Sequence, residues 1–232
     1  MKKFVLLTLM TLGSFVSAQE TTDLKAHYEA FYNEMRLQGD VNGVINALTH
    51  LNVLSPSQAR RDTLAFVYMN SGQHLQALNT IGIENDPNSS DLAVQVKAVS
   101  LKNLNQPKRA IEQFELLFKR NQNAYLAYEM ADLKIITGDT AGAAKDIEYG
   151  LANVKDDMKH AFYERQQPYE ASLKAAFLHL KGLLAFNNDK QKFDEAIAFI
   201  DEALKIDPSF NLASLSKQAL ESKKNEAAAV KE

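Results

Sequence analysis

Val44, Ala77, Ala110 and Ala143 stand 33 residues apart, and each lies in the second half of the same local pattern. The pattern is an amphipathic run, a break, and a second amphipathic run. The breaks fall at Gln38-Gly39-Asp40, Ser71-Gly72, Asn105-Gln106-Pro107 and Thr137-Gly138-Asp139. Apolar residues on either side recur at three- and four-residue steps, the spacing of one helix face. A chain built this way has few choices. One helical hairpin cannot bury its apolar face alone, so successive hairpins must stack on one another.

Small residues on the packing faces say how closely. Ala65, Ala98, Ala131 and Gly182 lie in the first helices, Ala77, Ala110, Ala143 and Ala196 in the second. Large apolar residues follow four positions later at Leu48, Ile81, Phe114, Ile147 and Ile200, with Pro56 and Pro208 closing two of the units. A helix, turn and helix at a period near 34 residues, with these small and large positions, resembles the tetratricopeptide repeat. The resemblance implies an all-α, right-handed superhelix of about five hairpins plus a C-terminal capping helix. The hairpins are expected at about 25–57, 58–90, 91–123, 124–157 and 173–208, with the capping helix over 210–222 and a frayed charged tail over 223–232. The first unit carries Tyr32 and Val44 where the family has small residues, and the third lacks the turn glycine.

The fifth unit shows the helical pattern most clearly. In Phe193–Pro208 the residues Phe193, Ala196, Ile197, Ile200, Ala203 and Leu204 share one face, and the acidic and basic residues take the other. Its first helix, from Leu173, is apolar nearly all round and is expected to be buried on more than one side. Between Ala143 and Ala196 the spacing grows to 53, and most of the excess lies in residues 155–172. Met158, Ala161 and Phe162 continue a helical face after Val154, and Pro168 fits the first turn of a new helix. This stretch is expected to lengthen two helices.

The N-terminus reads as a leader. Lys2 and Lys3 precede an apolar run from Phe4 to Val16, and Val16-Ser17-Ala18 offers a small-residue cleavage site, the layout of a secretory signal peptide over residues 1–18. The run is shorter than the roughly 20 residues a bilayer span requires. Cleavage after Ala18 takes the formal net charge from −3 to −5. With 26 Lys+Arg and 29 Asp+Glu mixed along the chain, no basic stripe is available for nucleic acid or anionic lipid. No cysteine is present to form a disulfide, hold a metal as thiolate or carry a lipid anchor. The expectation is a soluble, exported protein, periplasmic in a bacterium or else secreted, with no membrane anchor after cleavage.

Catalytic chemistry finds no footing. His27, His50, His74, His160 and His179 fall in separate segments without ligand spacing, so no metal site is expected. Asp86, Asn88 and Ser90 begin like a calcium loop, but Asp91 and Lys97 occupy the positions that need glycine and glutamate. No nucleophile, base and oxyanion donor assemble, and no cofactor is implied.

In tetratricopeptide proteins the first helix of each pair lines a concave groove. By that resemblance Asn33, Phe66, Met69, Val99, Lys102, Tyr125, Tyr128, Asp132 and Ile135 face the groove. A clamp for a terminal carboxylate is not expected, because Glu29, Asp62 and Phe66 stand where it would begin. The apolar, aromatic middle of the face points to a polypeptide partner, an apolar or amphipathic peptide or helix. The competing reading is that these residues pack as core. Phe162, Tyr163 and Tyr169 form a second candidate contact, or else a brace between the fourth and fifth units. Two functional classes follow: an interaction scaffold, or a self-assembling or chaperone-like protein whose apolar face meets a second copy or an unfolded client. A small-ligand binder or enzyme ranks below both.

Overall fold

A computed structural model describes residues 23–229, and the leader assigned to residues 1–18 lies outside them. The chain divides into two compact units at Leu104/Asn105. In the first, α1 (residues 23–38), α2 (Val41–Leu54), α3 (Gln58–Asn70), α4 (His74–Ile81) and α5 (Asp91–Asn103) follow one another. Side chains set the helix starts. Asp40, Ser57 and Ser90 accept the backbone N–H three residues on, at Gly43, Arg60 and Ala93. Arg60 closes the other end of α2, its guanidinium donating to the Leu51 and Ser55 carbonyls at 2.9 and 2.6 Å.

Among the described residues of this unit two charged groups are buried. Asp62 accepts from Gln58 Nε2 at 2.7 Å and from Ser90 Oγ at 2.6 Å, tying α3 to the cap of α5. Lys97 donates to the Glu84 carbonyl at 2.7 Å, so the loop that began like a calcium site closes on an ammonium. Alanines 65 and 77 are fully buried with Met69 and Val96 between α3, α4 and α5.

The second unit holds α6 (Pro107–Arg120), α7 (Ala124–Thr137), α8 (Thr140–Asn153), β1 (Lys159–Phe162), β2 (Tyr169–Ser172), α9 (Leu173–Asn188), α10 (Phe193–Ile206) and α11 (Asn211–Ala229). Its core runs through α7, α8, α9, α10 and α11. α9 is enclosed by α7, α8, α10 and the strands, as its all-round apolar sequence requires. Gly182 lets α10 approach: a Cβ there would sit 2.8 Å from the Ala196 carbonyl oxygen and 2.8 Å from Ile200 Cγ1. Lys134 bridges Asp146 at 2.9 Å and Glu115 at 3.0 Å, joining α7 to α8 and α6. Burial pushes its ammonium down, but the hydrogen bonds and charges of the two carboxylates outweigh that and hold it above the usual value. Burial also raises the Asp146 carboxyl, which Lys134 offsets only in part.

The period is written in the backbone. Gly39, Gly72, Asn105 and Gly138 stand 33 residues apart, and all four have left-handed φ, at 69°, 73°, 55° and 82°. The third turn lacks glycine because asparagine, the L-residue that best tolerates this conformation, takes its place.

Two expectations are corrected. Residues 155–172 do not lengthen α8 and α9. α8 ends at Asn153, and the stretch forms an antiparallel hairpin pairing Lys159 with Ser172, His160 with Ala171, Ala161 with Glu170 and Phe162 with Tyr169. Alternation decides it: Phe162 and Ala171 turn inward, while Lys159 and Glu170 stay in solvent. Pro168 precedes β2, and Ser172 rather than Pro168 starts α9 as its N-cap. The charged tail does not fray at residue 222 either. α11 continues to Ala229 on residues of high helix propensity, with Lys224 paired to Asp194 and Lys223 over the Phe186 ring.

Candidate binding surface

The residues assigned to a groove separate into two sets. In the first unit, Asn33 is exposed on α1, while Phe66 on α3 and Val99 and Lys102 on α5 are half-buried. Met69 is only 7% exposed and belongs to the core with Ala65, Ala77 and Val96, which removes it from the groove. It fills the space those alanines leave.

Phe66 does reach an opening. With Arg36, Gly39, Val41, Val44, Val67, Asn70 and Ser71 it lines a cleft of 310 Å³ where the end of α1 and the start of α2 meet α3. The walls are chiefly apolar, and Arg36 is the charged residue among them. The positive φ of Gly39 turns the chain here, and Leu37 and Val41 on either side of it are exposed. Sequence reasoning missed Arg36, Val41, Val67 and Asn70. The signal for Val41 was available: an apolar residue just after a turn glycine has no interior position to fill. Asn33 and Lys102 do not line this cleft.

In the second unit Tyr125 is 44% exposed, and Asp132 and Ile135 are half-buried, with Ile135 packed against the core. Tyr128 is corrected to a core residue. It is 4% exposed, with its ring centroid 4.4 Å from His160, 5.6 Å from Phe177 and 6.3 Å from Phe162. Burial, with the nearby charges of Asp132 and Glu129, pushes its phenol well above the ordinary value, so it stays neutral. The hairpin is what covers it.

Phe162 and Tyr169 pack between that hairpin and the start of α11. Phe162 is buried 4.8 Å from the Phe210 ring, and Tyr169 stacks on it at 5.7 Å. The Tyr169 hydroxyl donates to Glu164 at 2.5 Å and accepts from the Leu212 N–H at 3.0 Å, at the start of α11. Burial and the Glu164 carboxylate raise this phenol to about 12. Asn211 donates to Glu164 and accepts from Arg165, so the hairpin's loop is fixed to α11. Tyr163, at 74% exposed, is left outside. His160 meets Glu129 of α7 at 3.2 Å. Among the described residues no three acidic or histidine side chains are grouped to hold a metal ion, and no helix is long and apolar enough to cross a membrane.

Solved structures share this architecture. The fold is that of the tetratricopeptide-repeat proteins. A tetratricopeptide repeat protein from Parabacteroides merdae superposes with a TM-score of 0.67 at 13% identity, over 89% of this chain and 76% of that one. MamA protein gives 0.60 at 17% identity, over 79% and 92%. The APC/C hetero-tetramer Cut9-Hcn1 gives 0.52 at 16% identity, over 89% of this chain and 41% of the other. No family model and no curated protein matches the sequence. The cleft at Phe66 lies beside the turn between α1 and α2, and the strand hairpin lies between α8 and α9.

Proposed function

We propose that this protein is a non-enzymatic interaction scaffold of the cell envelope, exported by its leader to the periplasm, that receives an apolar or amphipathic peptide or helix of a partner protein. The observation that carries the reading is the apolar cleft around Phe66. A folded chain that leaves Val41 and Phe66 together at an opening, instead of closing over it, keeps apolar surface for another polypeptide. A volume of 310 Å³ suits a few side chains from one face of a helix. Arg36, Asn70 and Ser71 at the same cleft supply polar groups to orient the partner. One of the similar structures is itself a hetero-tetramer, which accords with a fold used to hold other chains.

Site-specific photo-crosslinking tests the reading in intact bacteria. A photoreactive residue at Phe66 or Asn70 should give a discrete polypeptide adduct in the envelope fraction. The same residue at Val53, which is apolar and exposed but outside the cleft, should give none. Adducts with many unrelated chains would identify a chaperone-like holder. Absence of any adduct at Phe66 and Asn70 would remove the scaffold.

A further inference from the structure

The two edges of the strand hairpin are not equivalent. The Leu173 N–H donates to the Met158 carbonyl at 2.9 Å, which makes 158 and 173 a directly bonded pair. Alternation along the antiparallel ladder then points the backbone groups of Ser172 and Glu170 outward on β2, and those of Lys159 and Ala161 outward on β1. On β2 a side chain closes one end of the edge: Asp207 Oδ2 accepts the outward Ser172 N–H at 2.8 Å, which leaves Glu170 as the outward residue without such a cap. On β1 nothing does. Among the described residues the outward N–H and C=O groups of Lys159 and Ala161 have no hydrogen-bond partner, and Lys159 is exposed. An open strand edge is a template for another strand.

We propose that β1 pairs antiparallel with β1 of a second copy of this chain, about a two-fold axis at His160, to form a four-stranded sheet across a homodimer. This goes beyond the cleft reading and does not depend on it. In that register Lys159 of each copy stands opposite Ala161 of the other, so all four outward N–H groups and all four outward carbonyls of the two edges face partners. The charges fit the same register. Within one copy Ala161 is paired with Glu170, so the order across the new sheet is Ser172, Lys159, Ala161 of the second copy, Glu170 of the second copy. These residues share the outward face, opposite the buried Phe162 and Ala171. Two strand spacings are about 10 Å, within the joint reach of a lysine and a glutamate side chain. The methyl group of Ala161 leaves the space between them clear. Symmetry gives the ion pair twice. A contact through two short strands makes a weak dimer, formed by mass action rather than obligate.

Sedimentation equilibrium of the purified protein across the micromolar to submillimolar range tests this. The expected result is a monomer–dimer equilibrium. Ala161→Pro removes a donor that points away from β2, so the hairpin keeps its own ladder. Loss of that donor in both copies should weaken dimerisation about thirtyfold, with the circular dichroism spectrum unchanged. Lys159→Glu and Glu170→Lys should each weaken it about five- to twentyfold, and the double reversal K159E/E170K should restore it. A monomer at every concentration overturns the proposal. So does a dimer indifferent to Ala161→Pro, or a double reversal no better than the single ones.

Discussion

His179 Nε2 lies 2.8 Å from Ser216 Oγ, a polar contact between α9 and α11 inside the apolar core of the second unit. The other ring nitrogen, Nδ1, is buried with no partner among the described residues, and the Phe210 ring stands edge-on 5.4 Å away. Such a site holds imidazole and rejects imidazolium. Burial lowers the His179 pKa from 6.5 to about 4, against a small opposing pull from Glu164.

A depressed folded pKa means that the unfolded chain takes the proton first. The stability contributed by the neutral ring is therefore full above pH 6.5 and is lost as the pH falls from 6.5 towards 4. A shift of this size corresponds to about 3 kcal/mol over that window. Denaturant unfolding of the second unit at pH 7.5 and pH 4.5 should show the loss in the native protein. In His179→Gln the difference between the two pH values should shrink by about 2 to 3 kcal/mol. An equal acid loss in both proteins would place the titration elsewhere.

The repeat resemblance puts both Tyr128 and Phe66 on the groove face, yet the structure surrounds them differently. Tyr128 is enclosed by His160, Phe162 and Phe177, whereas Phe66 is half-buried at a cleft. Tyr128→Ala should therefore cost about 3 to 5 kcal/mol of stability, the range for an aromatic removed from a core. Phe66→Ala should cost clearly less and instead reduce partner cross-linking at Asn70. Thermal and denaturant unfolding of the two variants side by side would check this. Equal destabilisation would return Phe66 to the core.

The same pair shows how far the sequence could be read. The 33-residue recurrence marked the small buried residues at 65, 77, 98, 110, 131 and 143, because close helix packing leaves no alternative residue type there. Burial of Tyr128 was not legible, since what covers it is a strand hairpin 31 to 44 residues later in the chain. That hairpin was itself obscured. Its strands are four residues each, too short for alternation to compete with the helical spacing of Met158, Ala161 and Phe162. The cleft depended on Arg36 and Asn70, whose positions say nothing about an opening until α1, α2 and α3 are in place.

Asn105 carries the last prediction, because it is the one left-handed position of the four period-related turns that is not glycine. At φ 55° a β-carbon meets the following carbonyl, at a cost of about 1 to 2 kcal/mol for an ordinary L-residue. Asparagine escapes part of that cost through local hydrogen bonding by its short side chain, and glycine escapes it through the absence of a Cβ. Asn105→Gly should leave stability unchanged or slightly raised, offset by the greater freedom glycine has in the unfolded chain. Asn105→Ala should lower it by about 1 kcal/mol, and Asn105→Val by more, because β-branching adds a further clash in the left-handed region. Equilibrium unfolding of the three variants should therefore rank Gly at or above Asn, then Ala, then Val. A ranking with Ala or Val at the level of Asn would mean that the third turn does not hold the left-handed conformation shared by Gly39, Gly72 and Gly138.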